Sequence, residues 1–316
     1  MARPRPLPLP ASVSNLVNGT SGIGRGVLCM LAGALCSSLM NGVIRYISAD
    51  LHPFEIAFFR NFFGLVVLVP LFLRTGLAAA LRTNRIGLHA VRGAFNVVAM
   101  LTFFLGVSMT PLATVAALSF TSPLFATLGA ILLLKEAMGI RRWTGLILGF
   151  AGALVILRPG VDAIDPGALL IVLSSALWAC ALIDIKVLAR TESSLTITAW
   201  AEVFLTPLSL LAAVFFWRWP TLEQLAWLVL IGALGSCAQL GVAQALRELD
   251  ATVVLPLDFT KLIWGALIGY VVFTEIPDVW TFAGGTLILA SVTYIAYRES
   301  RVKDQPARLP APHRPV

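Results

Sequence analysis

A handful of polar side chains sit inside long apolar stretches, and their types are the ones that bind or relay charge. Arg60, Arg92, Asp184, Glu202, Asp258 and Lys261 are ionisable, and Asn96 follows Arg92 by one helical turn. An ionisable group at bilayer depth is expensive. One that is retained faces the interior of a helix bundle and marks either a pathway or a packing ion pair. Asp258 and Lys261 are spaced i,i+3, so they share a helix face near the middle of their run. Two readings stand for them. In one they form an internal ion pair that fixes helix packing. In the other, Arg60 and Lys261 anchor an anionic or zwitterionic solute, and Asp258 or Glu202 is the proton-coupling carboxylate. Arg92 and Asp184 lie near run ends, where headgroup water or snorkelling also accounts for them. Asn96, Gln239, Gln244, Asn41 and Trp178 are candidates for lining the same cavity. Trp178 can stack on a planar solute or simply pack against core or lipid. The candidate substrate-binding set is thus Arg60, Asn96, Trp178, Gln239 and Lys261.

These residues need helices to hold them at depth. The chain of 316 residues is 58% hydrophobic and 12% charged, with a mean hydropathy of +0.89. A soluble domain is about half apolar and about a quarter charged, so this composition excludes a soluble domain. A bilayer core takes about 20 apolar residues per helix. Ten runs meet or approach that length, near 26–48, 53–73, 88–108, 112–134, 142–158, 167–189, 196–216, 224–246, 252–272 and 279–297. The expected fold is an all-α integral membrane protein of ten transmembrane helices. The tails 1–25 and 298–316 are Pro-rich and polar, and the first has the pattern of no removable signal peptide.

The net charge of +7 does not indicate nucleic acid, because Lys and Arg lie between apolar runs rather than along one polar face. Seventeen of the 23 fall on the side of the two tails, and only Arg158 and Arg218 on the other; Arg45, Arg60, Arg92 and Lys261 are within runs. That asymmetry predicts cytoplasmic termini and a multi-pass protein of the cell inner (plasma) membrane. Arg45, close to the outer end of the first run, reads as snorkelling to the headgroups. The four cysteines, Cys29, Cys36, Cys180 and Cys237, lie in apolar runs with no C-x-x-C pair and read as small hydrophobes. Gly19-Thr-Ser-Gly22-Ile-Gly24 lacks the preceding strand of a dinucleotide-binding turn. No metal spacing and no cofactor motif is present.

The chain also repeats itself. Ala113-Thr-Val115 opens the fourth run and Ala251-Thr-Val253 the ninth. Glu136 and then Gly145 follow the fourth as Glu275 and Gly284 follow the ninth. Each half, 26–158 and 159–297, holds five runs, and an odd number inverts one copy relative to the other. The basic loop from Lys135 to Arg142 faces an acidic counterpart from Glu275 to Asp278. Inverted repeats are a construction of secondary transporters, with the site at the repeat interface. Pro123 and Pro256 interrupt the equivalent runs four and nine but fall about six residues out of register.

Pro111-Leu-Ala-Thr-Val-Ala-Ala through Pro123 to Lys135-Glu136, with Gly145 to Gly152, and the second copy Ala251-Thr-Val-Val-Leu-Pro256 with Phe273-Thr-Glu275 to Gly284, resemble the drug/metabolite transporter superfamily in its ten-helix EamA-type branch. The glycine that usually precedes the glutamate is absent from both copies. His52-Pro-Phe-Glu55 resembles the opening of the second helix in a sub-branch of metabolite carriers. The resemblance implies a monomer- or homodimer-forming carrier with alternating access and no ATP hydrolysis, whose partners are a small-molecule substrate and membrane lipid, with no nucleic acid. The sequence therefore points to a secondary active transporter of a small polar metabolite, not an enzyme. An exporter of amino acids or hydrophobic drugs is the alternative. A membrane-embedded lipid-modifying enzyme would need clustered Asp, His or Cys at one face.

Overall fold

Apolar runs without water around them have one local solution, because every backbone N–H and C=O must find its partner within the segment. The computed structural model, which describes residues 22–75, 83–134, 140–158, 165–188, 191–192, 194–249 and 251–303, is accordingly helical, with no strand among those residues. The helices are α1 (Gly22–Ile47), α2 (Pro53–Thr75), α3 (Ile86–Met109), α4 (Leu112–Ser119), α5 (Ser122–Leu134), α6 (Ile140–Leu157), α7 (Pro166–Leu188), α8 (Ser194–Ala213), α9 (Leu222–Glu248), α10 (Ala251–Asp258), α11 (Thr260–Phe273) and α12 (Val279–Lys303). Five segments are long and apolar enough to cross a membrane by themselves: Gly24–Ile47, Ile86–Met109, Leu112–Gly129, Leu222–Val242 and Val279–Tyr297.

The twelve helices make ten spans, because the fourth and ninth are each broken in two. The sequence places interrupting prolines in both of these runs, about six residues out of register. The breaks themselves are in register: α4 gives way to α5 at Phe120-Thr121, and α10 to α11 at Phe259. Pro123 is the second residue of α5, whereas Pro256 lies near the end of α10. The two prolines flank equivalent breaks from opposite sides, and a proline on either side of a turn removes a helical hydrogen bond there.

Local signals set the other helix ends. Pro53 and Pro166 stand at first helical positions, where a missing N–H costs nothing. Thr221 and Gln224 form a reciprocal capping box at the start of α9. The Asp165 carboxylate accepts from Gly167 N–H (2.9 Å) at the start of α7. Thr274 closes α11 in the left-handed region (φ 54°), with Glu275 N–H returning to the Gly269 carbonyl.

We call the side where α1 begins and α12 ends the terminal face, and the other the far face. The strongest packing joins α1 with α9, α3 with α7, and α6 with α12. The first two pairs are exchanged by the internal repeat, and the third maps onto itself. Small residues make the close approaches possible. A Cβ on Gly152 would come within 2.7 Å of the Gly284 carbonyl oxygen, and one on Gly145 within 2.9 Å of Ile295. The glycine pairs of α6 and α11 are thus used within the chain. Buried Phe104, Leu118, Phe120, Leu124, Ile171, Leu262 and Ile288 fill the space between the repeats, while Val66, Ile147, Leu211, Ile263 and Val271 face outward.

Because the obstruction at Gly152 is backbone, Gly152→Leu is expected to destabilise the bundle by about 1–3 kcal/mol or more. Gly87→Ala, which meets nothing within 4 Å, should leave the melting temperature in detergent unchanged. Equal melting temperatures for both variants would contradict this packing.

Candidate functional site

Arg60, on α2, points into the bundle. Its Nη1 donates to Asn61 Oδ1 (2.9 Å), and no carboxylate pairs with it among the described residues. Its guanidinium lies against Gly235 of α9, where a built Cβ would be 3.1 Å from both Arg60 Nε and Met40 Sδ. Any larger residue at 235 would displace it. Asn61 is wholly buried and fixes the arginine from behind, donating to Ser209 Oγ (3.2 Å) and to Met100 Sδ (3.4 Å). Sequence reading passed over Asn61. Only its position, next to an intramembrane arginine, offered a signal.

Two further candidates lie on α7 and α9. On α7, buried Ile171, Ser174 and Ser175 define the interior arc. Trp178, three and four residues beyond the serines, falls in that arc and yet is 44% exposed. On α9, Gly232, Gly235 and Ser236 are buried, and Gln239, on the same arc, is exposed. Both are thus exposed on helix arcs that are otherwise buried. Gln239 sits one turn, about 6 Å, from the glycine that carries Arg60. The side-chain oxygen of Asn41, on α1, is buried with no hydrogen-bond partner.

Lys261 and Asp258 bracket the break of the ninth span as an ion pair, Nζ to Oδ1 2.6 Å, each about a quarter exposed. Ser38 Oγ donates to the Lys261 carbonyl (3.4 Å). Asn96 is buried on α3, one turn from Met100. Arg92 is buried and donates to the Ile197 carbonyl of α8 (2.7 Å). Asp184 keeps one oxygen buried without a hydrogen-bond partner. Glu202 belongs to α8, but its side chain lies outside the described residues. Arg60 and Asn61 are brought together, with Gln239 one turn beyond the glycine that Arg60 faces; Lys261 is held by its own helix neighbour.

The far face is sealed by charge. Arg45 pairs with Glu275 (2.6 Å) and donates to the Thr110 carbonyl, so its role is an ion pair across the repeats rather than snorkelling. The second Glu275 oxygen accepts from Leu112 N–H (3.0 Å) at the first turn of α4, where an anion is favoured by the helix dipole. Arg158 pairs with Asp278 (2.5 Å). These groups rim a cavity of about 220 Å³ lined also by Thr114, Asp165 and Gly265. Among the described residues, the two non-glycine residues with positive φ are Arg158, which lines this cavity, and Thr274, which precedes Glu275. α4 packs on α11 and α12 here, whereas α10, its counterpart at the terminal face, makes no comparable approach to α5 or α6 among the described residues.

Two carboxylates tie the hairpins of one repeat to the other. Glu55, wholly buried, accepts from Arg218 N–H (3.1 Å). The His52 ring beside it stacks on Phe216 at 3.8 Å, and burial holds that imidazole below its ordinary pKa. At the terminal face Glu192, in the α7–α8 connection, bonds His89 Nε2 (2.5 Å) and Thr83, and His89 stacks on Trp200.

The comparisons with known proteins accord with this geometry. A family model described as the EamA-like transporter family matches residues 24–158 and again 165–297. The chain belongs to the EamA-like transporter family. It is 32% identical over 269 residues to an S-adenosylmethionine uptake transporter of Rickettsia bellii, covering 85% of this chain and 92% of that one. It is 35% identical over 287 residues to a riboflavin transporter of Rhizobium johnstonii, covering 89% and 94%. A solved structure titled only "Crystal structure of protein" shares the fold, with a TM-score of 0.60 at 17% identity over 88% of this chain and 98% of that one. This member of the EamA-like family is thus a multi-pass membrane transporter of a small polar molecule and not an enzyme.

Burial alone would raise the Glu192 carboxyl, but the hydrogen bonds from Thr83 and His89 outweigh it and hold it below the ordinary carboxylate range. A carboxylate held lower in the folded state stabilises the fold above its ordinary pKa, about 4.3, and loses that contribution as pH falls through the folded value. Glu192→Gln should therefore lower the melting temperature near neutral pH, with the difference from the parent shrinking below about pH 4. A difference that stayed constant across that range would remove this role.

Proposed function

We propose that the protein is a secondary carrier that moves a small polar organic metabolite with an anionic or zwitterionic group by alternating access between its two inverted repeats, 26–158 and 159–297. The observation that carries the reading is Arg60. It is a guanidinium inside the bundle, fixed by Asn61, facing a glycine, and within a turn of an accessible glutamine. A cation with no carboxylate beside it among the described residues favours an anionic group arriving from outside the protein.

The other contacts follow from chemistry. Trp178 offers a flat face and Gln239 and Asn96 offer amide donors and acceptors. The compounds named for the two relatives, S-adenosylmethionine and riboflavin, both join a flat nitrogen heterocycle to a hydroxylated five-carbon unit, a ribose ring in the first and an open ribityl chain in the second. That chemistry suits an aromatic platform beside amides. Lys261 supplies a second cation once a substrate anion takes it from Asp258. The released Asp258 carboxylate then accepts a proton, and Glu202 is the second candidate for that coupling. The excess of Lys and Arg on the terminal side supports an inner-membrane protein with cytoplasmic termini.

Purified protein in proteoliposomes tests this with labelled S-adenosylmethionine and riboflavin as probes, after a thermal-shift screen that adds amino acids and nucleotides. Arg60→Gln is expected to lower uptake of the best substrate at least about tenfold, the loss of roughly 1.4 kcal/mol of binding, with Arg60→Lys intermediate. Unchanged uptake in Arg60→Gln would refute the assignment. Asp258→Asn should abolish the response to an imposed pH gradient while retaining downhill flux. A full gradient response in Asp258→Asn and in Glu202→Gln alike would exclude coupling through either.

A further inference from the structure

We infer that Phe120 and Phe259 form the central gate of the carrier, closing the path between the accessible interior and the sealed far face. The inference rests on the carrier reading and assigns two side chains a role in it. Four independent observations meet at these rings.

The first is their place in the repeat. Each phenylalanine is the turn residue where its span breaks. They are equivalent in the two halves, separated as Gly145 is from Gly284. Residues exchanged by the internal two-fold can touch only near its axis, and these rings do, with centroids 5.3 Å apart and planes at 42°. The axis crosses the permeation path at the repeat interface, so side chains on it are the last obstruction between the two faces.

The second is what lies on each side. Toward the far face the backbones close in. A Cβ on Gly265 of α11 would be 3.0 Å from the Leu112 carbonyl of α4. One on Gly285 of α12 would meet Ala117 at 3.2 Å, Leu262 at 3.3 Å and the Phe259 ring edge at 3.9 Å. Trp178 and Gln239, by contrast, are accessible. The Phe259 ring therefore seals the end of an open space.

The third is chemistry. Phe120 is 7% exposed, and an apolar constriction excludes water and ions without binding them. The Asp258–Lys261 pair flanks Phe259 in sequence. A substrate that draws Lys261 away from Asp258 acts on the residue immediately before the gate and on the one two positions after it.

The fourth is mobility built into the backbone. Both rings sit in turns between half-helices, where side-chain hydroxyls add to the backbone bonds of the neighbouring carbonyls. Ser175 and Thr121 donate to the Leu118 carbonyl, and Thr260 to that of Leu257. Side-chain bonds of this kind can be exchanged, so a half-helix can swing without unwinding a continuous ladder.

The test needs no substrate. In a background with Cys29, Cys36, Cys180 and Cys237 changed to alanine, Thr114→Cys places one thiol beyond the gate, in the far-face cavity. A membrane-impermeant maleimide is applied from the terminal side of oriented vesicles. With both phenylalanines present labelling should be slow. Phe120→Ala combined with Phe259→Ala should speed it about tenfold or more, as expected when an apolar constriction opens. Phe259→Trp should remain slow, which separates an open path from a loosened fold. Melting temperatures and labelling from the far side serve as controls. Unchanged labelling in a folded double alanine variant would overturn the gate, as would equal acceleration by Phe259→Trp. Failure of the parent to move S-adenosylmethionine, riboflavin or any hit of the thermal screen would count against the carrier reading instead, and is measured separately.

Discussion

A helix that stops in mid-membrane leaves carbonyls and amides unpaired where no water can reach them. The architecture of this protein follows from how it meets that constraint twice. Spans four and nine both stop and restart; at the first break the Leu118 carbonyl accepts from Thr121 N–H and from the Thr121 and Ser175 hydroxyls, and at the second the Leu257 carbonyl accepts from the Thr260 hydroxyl while Ser38 reaches the Lys261 carbonyl. Irregular backbone at this depth is tolerated only where protein surrounds it or where it lines a cavity. The two breaks accordingly sit face to face at the repeat interface, and the candidate site is arranged around them.

The two faces are held by different interactions. At the far face, permanent charges do the sealing: Arg45 with Glu275, Arg158 with Asp278, and Glu275 again on the first turn of α4. Glycines and alanines let α4, α11 and α12 approach beneath them. At the terminal face, α10 makes no comparable approach to α5 or α6 among the described residues. An inverted repeat that is symmetric in sequence is thus asymmetric in structure. Alternating access requires that asymmetry, because the same two halves must favour one closed face at a time. Arg158 itself and Thr274, next to Glu275, take left-handed backbone conformations beside these ion pairs.

Several features were legible in the residues alone because the bilayer imposes them locally. Apolar length showed the spans, the spacing from Ala113 to Gly145 and from Ala251 to Gly284 showed the repeat, and odd parity showed its inversion. The i,i+3 spacing of Asp258 and Lys261 placed them on one face, and they are an ion pair. Other features were misread or missed. Arg45 looked like a snorkelling side chain because its partner, Glu275, is far away in sequence. Asn61 drew no notice because a buried amide between aromatic residues has no periodic signature. The prolines suggested misaligned kinks, whereas the breaks they flank coincide.

What the sequence by itself determined is therefore the solvent, the number of spans and their inverted pairing, since each depends on composition and period within a span. The tertiary structure alone decided which polar groups meet. Among the described residues it left Arg60 without a carboxylate and gave Lys261 one; it left Trp178 and Gln239 exposed on otherwise buried arcs; and it brought Phe120 and Phe259 together. The reason is physical. Ion pairing and ring contact act over a few ångströms between helices, and nothing in a linear pattern encodes the rotation and depth at which two helices are set against each other.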